Sequence, residues 1–429
     1  MKTIVFLGTQ KSGSSREAIR AAERLGYYTV LYTDRPNFLE KRTLFPEVHL
    51  MRSYDLNDIE GIRNDIKRLL LLKVLEICAI VSFVDSYCYN ACLLAEEFGV
   101  NRFSSTAISI MEDKILSRKA LNESPYNPRF MVFLENTVLA ENSYTSLERK
   151  IKNNFPVILK SPNSAGSKDV FKINNIKEFK RCFRKISQES KLPILAEEFL
   201  DGPQYLVEVI VHQKVLHIIA IFEQEINFDK RFIITGYNLI INPPSDFYEG
   251  LRAAVESIVI CHGMENGACH LELRYVNKQW KLVEINPRIS GGGMNNLIEI
   301  GLGINLVEET LKIALGQVPD LQPRHKEHAF AQYIIIAEKG ILEKVTGKNR
   351  ASRCPGVKEV YVKPRKGTLL MPPLSMGHRY AYVIATGSDE KDAKENAKYA
   401  ASKIQFWLSA PPERPIDNEI YQDTKTQDI

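Results

Sequence analysis

Two short segments hold the residues best suited to chemistry: His270-Leu-Glu272-Leu-Arg274 and Val283-Glu284-Ile-Asn286-Pro-Arg288. Alternate residues of a strand share a face. Glu284 and Asn286 therefore point together, with Arg288 just past the strand end. If the two segments pair around Asn277, Glu272 joins that face. Two carboxylates and an amide oxygen make a hard oxygen cluster, suited to Mg²⁺ held jointly with phosphates. Arg288 adds a planar cation for phosphoryl or carboxylate oxygens. The plainer alternative is a pair of surface strand carboxylates with a charge partner. A Glu among Leu282, Val283 and Ile285 is costly to bury alone, so the metal reading is preferred.

Strands and helices must position that cluster. Thr3–Leu7 is a short apolar run, followed by the polar turn Gly8–Ser15 and a helical spacing of Ala18, Ile19, Ala22 and Leu25. Tyr28–Tyr32 and Ile77–Phe83 read as further strands, with a helix over Asp58–Leu72 between them. This alternation predicts a parallel sheet with helices on its faces. The Gly8–Ser15 loop lacks the G-x-G-x-x-G fingerprint of a dinucleotide site but can line a substrate cleft. Farther on, strands are expected at Pro156–Lys160, Val170–Ile173, Ile194–Ala196, Tyr205–Val211, Gly267–Tyr275 and Trp280–Ile285. Helices are expected at Ile176–Ile186, Tyr248–His262 and Asn305–Leu315, and a glycine-rich loop spans Ser290–Gly293. The last hundred residues read as strand-rich (Ala331–Ala337, Val357–Val362, Tyr380–Ala385), then as a helix over Glu390–Trp407.

Composition narrows the class. The chain has 429 residues, 44% of them hydrophobic, enough for about three domains at roughly 150 residues each. Acidic and basic residues are interspersed and the net charge is only +5, so charge points to neither nucleic acid nor a membrane surface. The seven scattered cysteines include no C-x-x-C pair, which favours a reducing, cytoplasmic setting. Cys88 and Cys92 would share a helix face, where two small apolar side chains facing a core are the better reading than a metal site. His325 and His328 have no partners nearby in sequence and read as a solvated loop rather than zinc ligands. The apolar start, Met1–Gly8, is too short for a signal peptide, and Lys73 and Glu76 break the only long apolar region.

Glu284-x-Asn286-Pro-Arg288 after an upstream Glu272 strand resembles the metal motif of the ATP-grasp superfamily, and three further matches follow the family's order. Lys114, in Met-Glu-Asp-Lys, resembles the first nucleotide lysine. Lys160, followed by the Ser164–Lys168 loop with Ser167, resembles the second lysine and the mobile loop over the phosphates. Glu197, Glu198, Phe199 and Leu200, then Glu208, resemble the hinge that holds adenine and ribose. The resemblance covers residues 1–320. It implies ATP with Mg²⁺ (or Mn²⁺), bound by the two lysines, the backbone at 198–200, and Glu272, Glu284 and Asn286.

The motif Asn286-Pro-Arg-Ile-Ser-Gly-Gly-Gly293 looks most like L-amino acid ligases, which make dipeptides. That likeness implies an aminoacyl phosphate, with Lys160, Arg288 and the amides of Gly291 to Gly293, Gly292 among them, near the reacting carboxyl. It also implies small-molecule amino acid substrates and allows a homodimer. The loop over Ser161–Asp169 has only Gly166, which departs from the glycine run of biotin carboxylases. Glu223, Glu225, Arg231 and Tyr237 fall where such enzymes place acceptor contacts. The expected fold class is α/β and α+β. A Rossmann-like N-terminal domain (1–112) precedes a mobile lid (113–190), a metal-bearing body (191–320) and a strand-rich C-terminal region (321–429). Two alternatives stay open: a ligase for another carboxylate, from specialised metabolism or nucleotide biosynthesis, and an ATP-binding module without catalysis.

Overall fold

The computed structural model describes residues 1–72, 75–133, 151, 154–161, 170–189, 193–228 and 232–410. The N-terminal segment forms the expected parallel sheet, with strand order Leu50–Ser53, Tyr28–Thr33, Lys2–Leu7, Glu76–Val81. Successive side chains of Lys2–Leu7 alternate between two cores. Ile4 and Phe6 pack with Ala18 and Ile19 of the helix Ser14–Arg24, while Val5 and Leu7 pack with Ile62, Ala91 and Leu94. A strand buried on both faces reads as a continuous apolar run, which is why it was visible in sequence. Leu50–Ser53 was not, having only two apolar residues.

The central element is an eight-stranded antiparallel sheet. Its order is Gln279–Asn286, Gly267–Val276, Gln204–His212, Val215–Phe228, Phe232–Leu239, His328–Ile334, Ala381–Gly387, Val357–Val362. Gln204–His212 lies deep within it, and its side chains alternate between the faces. Leu206 and Ile210 share a core with the helices Met294–Leu302 and Leu306–Ala314, and with Ile4 and Phe6 of the parallel sheet. Val207, Val209 and Val211 pack with Leu251, Val255 and Ile258 of the helix Ser245–Cys261.

Two tight turns set the register of these strands. Gln213-Lys214 and Asn277-Lys278 both have positive φ (52° and 66°; 50° and 64°). That is the backbone twist a two-residue hairpin turn requires. Val276 lies opposite Gln279, and a bulge that leaves Val283 as the extra residue between Leu282 and Glu284 then brings Glu272 opposite Glu284 and His270 opposite Asn286.

A smaller antiparallel sheet, in the order Phe130–Phe133, Ile194–Glu198, Val157–Lys160, Val170–Ile173, is backed by the helix Ile176–Glu189 through Phe179, Phe183 and Ile186. The expected phosphate loop Ser164–Lys168, with Ser167, lies outside the described residues, as does Arg231.

Two expectations are corrected at the C-terminal end. The last helix stops at Ala401, and Gln405–Ser409 is a strand paired with Gly340–Thr346. The helical spacing of small residues ends at Ala401, and Trp407 turns its indole N–H to Thr346 Oγ1 at 3.0 Å. His328 opens a strand rather than lying in a loop, and His325 Nε2 is 2.9 Å from Ile300 O. Cys88 and Cys92 pack with Ile108 in a buried cluster. Among the described residues, no helix is long and apolar enough to cross a membrane.

Candidate active site

The hairpin turn at Asn277-Lys278 and the bulge at Val283 together bring Glu272 and Glu284 to directly opposed positions. Like charges placed so repel. Burial, and then the Glu284 charge, push the Glu272 carboxyl up to about 7. Burial also raises Glu284, but Lys114 and Lys160 outweigh it and hold that group below the usual carboxylate range. Asn286 Nδ2 lies 3.2 Å from His270 Nε2, so its carbonyl oxygen is not the atom engaged by the imidazole. His270 Nδ1 is 2.9 Å from Arg288 O, and burial together with the Arg288 charge pushes the imidazole down to about 4. A cluster of oxygen donors whose two carboxylates repel fits a hard divalent cation. Its residues would be Glu272, Glu284 and Asn286.

Both predicted lysines reach this cluster. Lys114 opens a helix capped by Asp113, whose carboxylate accepts from the amides of Ile115 and Leu116. Its ammonium is 3.1 Å from Glu284 Oε1. Lys160, at the end of its strand, is 2.7 Å from Glu197 Oε2 and 3.4 Å from Val283 O. The same Glu197 accepts from Arg118 Nε at 2.6 Å, and Arg118 Nη2 donates to Val283 O at 2.6 Å. Burial lowers the pKa of Lys160, while burial of Glu197 is outweighed by Arg118 and Lys160. Glu197 therefore orients Lys160 rather than standing free for a ribose. Arg118 escaped the sequence reading, although it sits four residues after Lys114, on the same helix face.

The other hinge residues divide. Glu198 Oε2 is 2.9 Å from Arg129 Nε, and Phe199 lies 3.7 Å beneath Lys172 Nζ. The amides of Glu198 and Phe199 donate to Arg129 O and Pro156 O. Leu200 O accepts from Arg274 Nη1 at 2.6 Å. Arg274 Nε in turn donates to Gln204 Oε1, and Gln204 Nε2 to Glu272 Oε2, at 2.9 and 3.0 Å. This chain ties the hinge to the carboxylate pair, and sequence reasoning missed Gln204. Glu208 is not at the hinge. It is fully buried beneath the glycine loop, accepting from the Ser290 amide at 3.1 Å, because strand alternation puts it opposite His270.

The glycine-rich loop closes the cleft. Gly292 has φ +66°, and a side chain there would meet Tyr333 Oη at 3.2 Å and Arg379 Nη2 at 3.9 Å. Ser14 Oγ of the N-terminal segment donates to Ser290 O at 2.6 Å, so the polar turn after the first strand abuts this loop. Arg288 is ion-paired with Asp85, which follows the C-terminal end of strand Glu76–Val81. Outside the carboxyl ends of parallel strands is where ligands of such sheets bind. Tyr237 also reaches the cleft, within 3.4 Å of Arg379 Nη1. Glu225 does not: it pairs with Lys394 and Lys398 of the last helix, each at 2.7 Å.

Comparison with known proteins matches residues 153–296 to a model described as "ATP-grasp domain". The chain carries an ATP-grasp domain. Residues 332–409 match "L-amino acid ligase C-terminal domain 2". The crystal structure of the L-amino acid ligase from Bacillus licheniformis superposes with a TM-score of 0.79 at 19% identity, covering 95% of this chain and 99% of that one. The uncharacterized protein y4rH of Sinorhizobium fredii is 25% identical over 62% of this chain and 56% of its own length. Dapdiamide A synthase of Enterobacter agglomerans is 24% identical over 41% of this chain and 43% of its own. The matched stretches thus span about half of these two curated relatives. The ATP-grasp fold, an expectation of the sequence, is the fold observed.

Two outcomes follow for this ATP-grasp site. Glu197→Gln leaves Arg118 and Lys160 as facing buried cations. It should cost about 3–5 kcal/mol in urea unfolding, and a loss below about 1 kcal/mol would contradict the cluster's role. Burial raises Glu208 to about 7, so the folded state holds its proton more tightly than the unfolded chain. The stability this contributes is complete below the ordinary glutamate pKa and lost as pH rises through about 7. Glu208→Gln should therefore gain on the wild type between pH 5 and pH 8, by roughly 1–3 kcal/mol. A pH-independent difference in melting temperature would contradict this.

Proposed function

We propose that the chain is an ATP-dependent ligase joining an amino acid carboxylate to an amine, with ADP and phosphate as products. The observation that carries the reading is the directly opposed pair Glu272 and Glu284, with Lys114, Lys160, Arg288 and the Gly291–Gly293 loop around it. The matched L-amino acid ligase C-terminal domain and the fold shared with the Bacillus licheniformis enzyme support an amino acid as substrate.

In this reading ATP contacts the Leu200 amide and Phe199 at the hinge, and Lys114 and Lys160 meet its phosphates as point charges. A divalent cation held by Glu272, Glu284 and Asn286 supplies charge neutralisation at the phosphates. One oxygen of the substrate carboxylate attacks the γ-phosphorus, and ADP leaves. The amine nitrogen then attacks the acyl carbon of the acyl phosphate, the C–O bond to phosphate breaks, and the nitrogen gives up a proton. Arg288 and the amides of the glycine loop face the oxygen on which charge develops. Asp85 fixes the guanidinium for that task. Holding both substrates in one cleft removes much of the entropic barrier. No side-chain nucleophile is required, since ATP provides the activation. We propose the division 1–112, 113–190, 191–320 and 321–429 for the parallel-sheet domain, lid, body and C-terminal region, with Ser167 on the lid loop.

The test is ADP release from ATP and Mg²⁺ with the twenty amino acids, singly and in pairs, and mass analysis of the products. Release that depends on particular amino acids, with a dipeptide formed, is expected. In the active pair, Glu284→Gln or excess EDTA should reduce turnover to background. Wild-type turnover in that variant would sink the assignment.

A further inference from the structure

Arg379 is a half-buried cation that the ligase reading does not use. It follows the helical turn Met376–His378, at the edge of the glycine loop. Its Nε donates to Met376 O at 3.2 Å, and its Nη1 to Ile234 O at 3.3 Å and Tyr237 Oη at 3.4 Å. The guanidinium carbon stands 4.0 Å from the Tyr333 ring centroid. All of these partners are neutral. Lys114, Lys160, Arg118 and Arg288 each pair with a carboxylate, Lys160 and Arg118 sharing Glu197, whereas Arg379 has no ion pair among the described residues. The nearby Glu359 is committed elsewhere, accepting from Tyr382 Oη and Asn296 Nδ2 at 2.8 Å each.

The unused corner of the guanidinium has a definite direction. Nη2 donates to nothing among the described residues and lies 3.9 Å from where a side chain on Gly292 would begin. A cation removed from much of its water and without an ion pair is costly. One that stacks on a tyrosine and turns two N–H donors toward a reaction loop is arranged for an anionic group. Burial opposes the charge, and Tyr237, Tyr333 and, less strongly, the Glu272 carboxylate help keep it.

Building on the ligase reading, we propose that Arg379 binds the carboxylate of the amine substrate, which is therefore a free α-amino acid. In such a molecule the amine and the carboxylate are attached to one carbon. A carboxylate on Nη2 thus holds the attacking nitrogen beside Gly292, where the acyl group is presented. The activated carboxylate belongs to Arg288, on the Asp85 side of the loop, so each substrate has its own arginine. The side chain of the second amino acid meets Tyr333 and Tyr382, whose rings are 5.4 Å apart, with Tyr361 stacked on Tyr382 at 5.2 Å. Gly293 permits that approach, since a side chain there would clash with the Tyr382 ring at 2.9 Å.

The experiment uses the full chain with one donor amino acid held constant. The amine substrate is offered either as the free acid or as its carboxamide, and product is measured by mass. Wild type should favour the free acid by about 10–100-fold in kcat/KM, the range a charge-assisted hydrogen bond supplies. Arg379→Gln should bring that preference close to one, and Arg379→Lys should restore part of it. A wild type that uses acid and carboxamide equally overturns the proposal without any variant. So does an Arg379→Gln enzyme that loses both activities in proportion, keeping its preference. No ADP release with any amino acid pair would instead overturn the ligase reading, and this proposal with it.

Discussion

Two carboxylates held directly opposite one another, on adjacent strands and largely out of water, are the constraint on which the rest of this structure depends. The repulsion between Glu272 and Glu284 is built in by register, and a one-residue slip would turn one of the two to the other face. The register is set by a two-residue turn of Asn277 and Lys278, by the bulge at Val283 and by strand faces buried in two separate cores. The fold therefore holds an unfavourable charge arrangement that a proton or a nearby cation relieves. Lys114 and Lys160 relieve part of it, which is visible in the low pKa direction of Glu284. Glu272 keeps the remainder, pushed up to about 7. That imbalance is what suits the pair to the role proposed for it, holding a divalent cation together with phosphates.

The cations are positioned by a second set of buried interactions. Glu197 bridges Arg118 and Lys160, joining the helix after Asp113 to the small antiparallel sheet. Arg274 and Gln204 run from the hinge carbonyl of Leu200 to Glu272, so the segment proposed to meet adenine is coupled to the carboxylates by three hydrogen bonds. On the far side, Ser14 and Asp85 of the N-terminal segment grip the Ser290 loop and Arg288. The N-terminal segment, the small sheet and the central sheet thus contribute to one cleft. Such arrangement by charged groups is worth more in a water-poor site than the same contacts at a surface.

Much of this was legible in the sequence, for reasons that particular residues make plain. The apolar run Thr3–Leu7 and the alternation in Gly267–Val276 gave strands because burial leaves a period of two or none. Glu284 and Asn286 could be placed on one face because strand residues alternate, but counting back from the two-residue turn puts Glu272 opposite Val283, and the bulge that brings it opposite Glu284 left no mark in the sequence. Residues whose meaning comes from distant partners were not legible: Asp85 meets Arg288 across 203 positions, and Arg118 meets Val283 across 165. Arg379 is isolated in sequence from every motif and becomes notable only where it faces Gly292. Glu208 was assigned to the hinge by family resemblance, yet the strand Gln204–His212 carries it beneath Ser290. The last helix was drawn too long because Ile404 to Leu408 are apolar enough to continue it. Pairing with Gly340–Thr346 decided otherwise.

The most direct test of this account is the melting temperature of the protein with a non-hydrolysable ATP analogue, with Mg²⁺, and with both. Ligands that bind the folded state raise it according to their affinity. If Glu272 and Glu284 hold a cation jointly with phosphates, the two ligands together should raise the melting temperature by several degrees more than the sum of their separate effects. The Glu284→Gln variant should lose that excess. An analogue whose effect is the same with and without Mg²⁺ would contradict the account at its centre.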